Sequence, residues 1–141
     1  QLLAHLLLQE GDLPRAGERA AQSLALRPGH APTLRLAEDI AHAAFERALK
    51  LQDAGDLKGA AEALRLALRL LPTYAQAAVN LGIVLQEDGD LEGAMSAYGR
   101  AYRLREDSFG RIAHALAAAS TGRIWLELDD LREALRTAPA F

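Results

Sequence analysis

The chain has no cysteine, few aromatic residues and no long apolar run. The absence of cysteine excludes disulfides and thiol chemistry, although it does not fix a compartment. Half of the residues are hydrophobic but only 5% are aromatic, so a core must be built mainly from alanine and leucine. This composition favours packed helices over strands. No apolar run approaches the roughly 20 residues of a membrane-spanning helix, so no membrane insertion is expected.

Patterns typical of catalysis and metal binding are also lacking. The four histidines are far apart, and no phosphate loop, nucleophile elbow or dinucleotide fingerprint is present. Glu38, His42 and Glu46 share one predicted helix face, a row that could hold a metal ion but that more often forms a solvated face. We therefore expect no catalytic residue, no cofactor, no metal and no enzymatic activity. A net charge of -3 argues against a broad nucleic-acid-binding surface.

A repeat is visible in three Gly-Asp dipeptides, Gly11-Asp12, Gly55-Asp56 and Gly89-Asp90. Each is followed at once by leucine and, three residues after that leucine, by alanine. The last two dipeptides lie 34 residues apart and the first two 44 apart. Pro28 and Pro72 both lie 17 residues after the glycine of their unit. The ten extra residues therefore fall between Pro28 and Gly55.

A helix-turn-helix period of this length resembles the tetratricopeptide repeat. The residues that carry the resemblance are Ala78, Leu81, Gly82, Leu85, Ala94, Tyr98 and Ala101 in one unit, Ala44, Ala48, Leu51, Ala60, Leu64, Ala67 and Pro72 in the unit before it, and Leu3, Ala4, Leu7, Ala16, Ala20, Ser23 and Pro28 in a truncated third. Arg47 departs from the pattern at a leucine position, and Glu106 replaces a closing proline. The resemblance implies an all-α fold, a right-handed α-α superhelix of about three helix pairs with an atypical C-terminal capping segment.

The predicted organisation is a single domain, residues 1–141, made of repeats of unequal regularity. Its segments are a truncated repeat at 1–30, a helix extension at 31–40, repeats at 41–74 and 75–108, and a degenerate repeat with a capping helix at 109–141. The chain starts inside the pattern and without methionine, so we expect it to be a piece of a longer protein.

The turn residues have predicted roles. Gly55 and Gly89 should end the first helix of their units in a left-handed conformation, which costs glycine little. Asp56 and Asp90 should cap the next helix by accepting bonds from its free N–H groups. Pro72 should stop a second helix, because proline cannot continue one.

Three further segments depart from a regular repeat. Residues 31–54 contain no glycine and no proline after Pro32, which predicts one long helix, with a broken helix pair as the alternative. A short C-terminal helix is predicted to start near Leu131, because Asp130 and Glu133 have capping-box spacing. Trp125 is expected to cover the last repeat, with ligand stacking as the alternative.

If the family geometry applies, first helices line a concave groove. The positions that the resemblance assigns to it are His42, Phe45, Glu46, Leu49, Gln52 and Asp53, followed by Gln76, Val79, Asn80, Ile83, Gln86 and Glu87. Phe45, Leu49, Val79 and Ile83 would form an apolar floor, and such patches usually mark a contact surface. Burial under the long helix or under the C-terminal segment is the structural alternative.

Charges are segregated along the repeat. Acidic residues gather at the turns within units, and arginines gather in the predicted second helices, at positions 65, 69, 100, 103 and 105. This pattern either complements helix dipoles and keeps the protein soluble, or forms an edge that steers a partner.

These observations predict a protein–protein interaction module, a scaffold or adaptor that binds a peptide or helix segment in the groove. The family's carboxylate clamp is not reproduced, since Phe45, Leu49, Gly110 and His114 stand where most of its members would fall. A peptide with apolar anchors and some positive charge suits the groove better. The alternative is the substrate-recruiting segment of a larger enzyme such as a glycosyltransferase. Self-association through the end helices is a third possibility, and a cytoplasmic location is the default, with a periplasmic one left open.

Overall fold

The structure is a computed structural model that describes residues 12–118 and 128–139. Within these residues every regular element is helical. The elements are α1 (Leu13–Leu26), α2 (Ala31–Asp53), α3 (Leu57–Leu70), α4 (Ala75–Glu87), α5 (Leu91–Leu104), a 3-10 turn (Glu106–Ser108), α6 (Phe109–Ala118) and α7 (Leu128–Thr137). The all-α prediction is therefore confirmed for the described chain. Residues 1–11 of the predicted truncated repeat lie outside the described residues, and so does Trp125.

From α1 to α5, each helix packs against the next one in sequence, most closely within the pairs α2/α3 and α4/α5. Additional contacts join α1 to α3, α5 to α7 and, to a lesser extent, α4 to α6. Because most connections are only three or four residues long, neighbouring helices fold back on one another. One apolar core runs through the described helices from Leu13 to Leu135.

The two Gly-Asp turns that are described in full have the same structure. Gly55 and Gly89 have φ of 84° and 86°, and they are the only described residues with positive φ. The N–H of Asp56 reaches the carbonyl of Leu51 at 2.9 Å, and that of Asp90 reaches Leu85 at 2.8 Å. This is the bonding that satisfies the last carbonyls of a helix when glycine follows it. The predicted role of both glycines is confirmed.

Aspartate capping is confirmed at both turns. The carboxylate of Asp56 accepts from the N–H of Gly59, and that of Asp90 accepts from Gly93, each at 2.9 Å. Asp12 caps α1 in the same way through Arg15, at a longer 3.3 Å. A Cβ on Gly59 or Gly93 would overlap the capping carboxylate. Glycine at this position therefore allows the carboxylate to approach the N–H more closely than it does at Arg15.

The ten extra residues extend α2, which is one continuous helix of 23 residues. The long-helix prediction is confirmed and the broken pair is excluded. The extension is amphipathic, because Thr33, Leu36, Ala37 and Ile40 are buried while Arg35, Glu38 and Asp39 are exposed. It therefore contributes to the core over its whole length.

The predicted start of the last helix is wrong. The helix includes Leu128, Asp129 and Asp130, so Asp130 lies within its first turn instead of capping it. Asp129 and Glu133 form ion pairs one turn onward with Arg132 and Arg136, at 2.9 and 3.3 Å. Acidic residues in a first turn also favour helix formation through the dipole, which explains how α7 accommodates both aspartates.

Helix α7 docks on α5 through leucine and arginine contacts. Leu131 and Leu135 are fully buried, and α7 packs mainly against α5. Arg103 of α5 donates to the carbonyls of Leu135 and Ala138 at 2.9 and 3.2 Å. These are carbonyls that a helix end leaves without an intrahelical partner, so Arg103 completes the end of α7.

Candidate functional site

The predicted groove positions lie on α2 and α4, and side chains link these helices to each other and to α6. Gln52 Nε2 donates to Glu87 Oε1 at 3.3 Å, joining the ends of α2 and α4. Arg111 of α6 donates to Asn80 Oδ1 of α4, also at 3.3 Å. The three helices therefore share one continuous surface, which we call the first-helix face.

The residues predicted to line the groove differ in exposure. His42, Glu46, Asp53, Gln76 and Glu87 are exposed, Leu49, Gln52, Asn80 and Ile83 are partly exposed, and Phe45, Val79 and Gln86 are buried. Two of the four residues predicted as an apolar floor, Phe45 and Val79, therefore expose almost no surface in this conformation. Leu49 and Ile83 remain as the apolar part of the surface.

Phe45 is buried partly because Tyr74 covers it. Tyr74 immediately precedes α4, and its ring lies 5.2 Å from that of Phe45 and 5.1 Å from that of His42. A hydrogen bond of 3.2 Å also joins the Tyr74 hydroxyl to His42 Nδ1. Burial, and second the negative charge of Glu46, raise the pKa of Tyr74. The hydroxyl therefore keeps its proton at neutral pH.

Gln86 has a structural role inside the stack. Its side-chain oxygen accepts from the Tyr98 hydroxyl at 2.7 Å, and its Nε2 donates to the Ala115 carbonyl at 3.3 Å. Burial, and second the charge of Glu87, raise the pKa of Tyr98. Polar groups buried in this way need such partners, so Gln86 links α4 to α5 and α6 and does not face a groove.

A pocket of about 260 Å³ opens at the beginning of α4. Gln76 and Val79 line it together with Arg105, Ser108 and Arg111. Arg105 is paired with Asp107 at 2.9 Å, and Arg111 is held by Asn80. The opposite end of the first-helix face carries Asp53 and Glu87. The surface is therefore basic at the pocket, where the arginines are partly neutralised, and acidic at its other end.

A second pocket, of about 410 Å³, lies between α1, α2 and α3, away from the predicted groove. Arg47 and Leu51 contribute to it from α2, and Leu13 and Leu66 contribute from the flanking helices. Arg47 is the residue that stands at a leucine position of the repeat pattern. Its charged side chain is exposed here, where a leucine would be expected to pack between helices.

No group of side chains among the described residues is arranged to hold a metal ion. Glu38, His42 and Glu46 share a helix face, yet no three acidic or histidine side chains in residues 12–118 and 128–139 are placed to hold an ion. His42 contacts Tyr74 instead. The first-helix face therefore offers apolar, hydrogen-bonding and charged side chains.

Sequence reasoning missed Tyr74 and Arg111 as members of this surface. Tyr74 ends its repeat unit, so a groove assignment based on helix positions passes over it. Arg111 lies in the degenerate segment, where the repeat register is lost. An aromatic residue in a turn of this aromatic-poor chain is the one signal that could have indicated Tyr74.

The chain matches none of the models of known protein families and no curated protein sequence. Within the described residues, no helix combines the length and apolar character needed to cross a membrane.

Proposed function

We propose that the chain is a tetratricopeptide-like interaction module, a right-handed superhelix of helix pairs whose first-helix face binds a protein segment. The turns support the repeat assignment, because two consecutive units share the positive-φ glycine, the aspartate cap and its bond length. Helical repeat proteins bind partners through such extended faces. The proposed role is that of a scaffold or adaptor without catalytic activity.

The observation that carries the proposal is a partly exposed apolar pair on a face that also carries exposed acids. Leu49 and Ile83 are partly exposed on adjacent first helices, and Glu46, Asp53 and Glu87 beside them are exposed. Partly exposed apolar side chains gain from being covered, while acids at the rim select and orient a charged partner. This combination favours a peptide or amphipathic helix that presents large apolar side chains and basic residues.

The binding prediction can be tested with a displayed library of random peptides selected on the immobilised domain. We expect enriched peptides to combine large apolar residues with lysine or arginine. Ile83→Asp should weaken their binding by at least about tenfold, because a carboxylate replaces a central apolar contact. Fluorescence anisotropy with a labelled, enriched peptide measures the loss, and circular dichroism checks that the variant is folded.

Leu26→Asp provides the matched control, because Leu26 is 83% exposed and lies on α1, away from the first-helix face. It should leave peptide affinity unchanged. Glu46→Lys/Glu87→Lys, at two exposed sites, should weaken binding and reduce its salt dependence, whereas Glu62→Lys/Glu106→Lys should have little effect. The proposal would be contradicted if the Ile83 variant and the Glu46/Glu87 double variant bound the peptide with the same affinity as the parent.

The same surface would also serve a substrate-recruiting segment of a larger enzyme. In that case the bound segment would be the enzyme's protein substrate, and the Ile83 and Glu46/Glu87 variants would have the same effects on its binding.

A further inference from the structure

A third pocket lies on the other side of the helix pairs, among second helices. Its volume is about 360 Å³, and its lining consists of Arg65, Leu68, Arg69, Pro72 and Arg100. Three of the five lining residues carry a guanidinium group and none is acidic. This surface is separate from the first-helix face, so a ligand bound here would be independent of the function proposed for that face.

The sequence places the three arginines together. Arg65 and Arg69 lie four residues apart on α3, so their side chains project from neighbouring positions on one helix face. Arg100 approaches from α5 and donates to the Pro72 carbonyl at 3.3 Å. That bond holds Arg100 beside the end of α3 and at the edge of the pocket.

Helix dipoles do not account for the whole cluster. Arg69 lies in the last turn of α3, where a cation is favoured. Arg65 lies near the middle of the same helix, where the dipole gives no such benefit, and like charges four residues apart disfavour the helix. The cluster is therefore more cationic than the stability of α3 requires.

On α3, nearby acids compensate the charges of Arg65 and Arg69 only in part. Arg69 pairs with Glu18 of α1 at 3.4 Å, but both side chains are more than half exposed, so solvent screens this pair. Arg65 is exposed and takes part in no ion pair with a described residue. Burial, and second the positive charge of Arg103, lower the pKa of Arg100. An adjacent fourth cation thus adds to the positive potential.

We propose that this pocket binds a small organic phosphate monoester. A phosphate monoester carries nearly two negative charges at neutral pH and accepts paired hydrogen bonds from guanidinium groups. Three arginines suit a dianion, whereas a single carboxylate needs only one. Apolar atoms of Leu68 and Pro72 line the rest of the pocket and would contact the organic part. The volume falls in the range of small-ligand sites.

The test is a calorimetric titration of the domain with phenyl phosphate at low salt, with inorganic phosphate and benzoate as parallel probes. We expect phenyl phosphate to bind more tightly than either. Arg65→Gln/Arg100→Gln should weaken phenyl phosphate binding at least about tenfold, because charge-assisted bonds to the phosphate are lost. Arg65→Gln alone should also weaken phenyl phosphate binding. Because Arg65 is exposed, this single variant tests the proposal even if the double variant misfolds.

Arg19→Gln/Arg35→Gln is the matched control, since both residues are exposed, neither lines the pocket and the change in net charge is the same. It should alter affinity by less than about twofold, the residual effect of a long-range charge. Equal weakening by the control pair, or no saturable binding at millimolar phenyl phosphate, would overturn the proposal. Benzoate or inorganic phosphate binding as tightly as phenyl phosphate would also overturn it.

Discussion

Gly82→Val is expected to lower the free energy of unfolding by about 3 kcal/mol or more, at the upper end of the cost of overpacking a core. A Cβ at this position would lie 2.3 Å from one carbon of the Tyr98 ring and 2.4 Å from the next. Tyr98 is fully buried, and its hydroxyl is bonded to Gln86, so the ring cannot swing away without breaking that bond. Urea denaturation followed by circular dichroism measures the loss.

Gly110→Ala is the control for a glycine inside a helix. Nothing lies within 4 Å of a Cβ built there, and alanine favours a helix over glycine by up to about 1 kcal/mol. This variant should therefore be as stable as the parent or slightly more stable. If Gly82→Val were as stable as the parent, the close packing of α4 on the Tyr98 ring would be incorrect.

Leu131→Ala/Leu135→Ala should detach α7 from the rest of the domain. Truncating a buried leucine costs about 2–5 kcal/mol, and both residues are almost fully buried. A helix of ten residues is not stable in water without such docking. Hydrogen exchange should show protection lost throughout α7 while α2, α3 and α4 keep theirs.

Leu128→Ala is the control, because it makes the same leucine-to-alanine change in α7 at a residue that is 53% exposed. It should leave exchange in α7 nearly unchanged. Loss of protection in α2 and α3 in the double variant would show that α7 is part of one cooperative unit with them, contrary to this expectation.

The turns and helix boundaries could be predicted because local chemistry determines them. Gly55 and Gly89 are at positions that require positive φ, and the aspartates that follow have their capping partners three residues further along. The continuity of α2 could likewise be predicted, since residues 31–54 contain no helix breaker after the first turn. Each of these features depends on residues within about one helical turn.

The C-terminal helix was predicted less well, because two signals were in conflict. The spacing of Asp130 and Glu133 resembles a capping box, but Asp129 and Asp130 also suit a helix's first turn. Which of these applies depends on how α7 packs against α5, where Leu131 and Leu135 are buried. A local pattern does not contain that tertiary contact.

The sequence was enough to predict which helices form the candidate surface. It was not enough to predict which side chains on that surface are accessible. Periodicity places Phe45, Val79 and Gln86 toward the first-helix side, but all three are buried in the structure. Tyr74 covers Phe45, and Tyr98 and the Ala115 carbonyl bind Gln86. The two partners of Gln86 are 12 and 29 residues away in sequence, so the burial emerges only from the packed helices.

The most direct test of the interaction role is an NMR footprint of an enriched peptide on the uniformly labelled domain. Binding through the first-helix face predicts amide shift changes concentrated between His42 and Asp53 in α2 and between Gln76 and Glu87 in α4. Resonances of Arg65 and Arg69, on the opposite side, should hardly move. Shift changes confined to α3 and α5, or to α1 and α7, would contradict binding through this face.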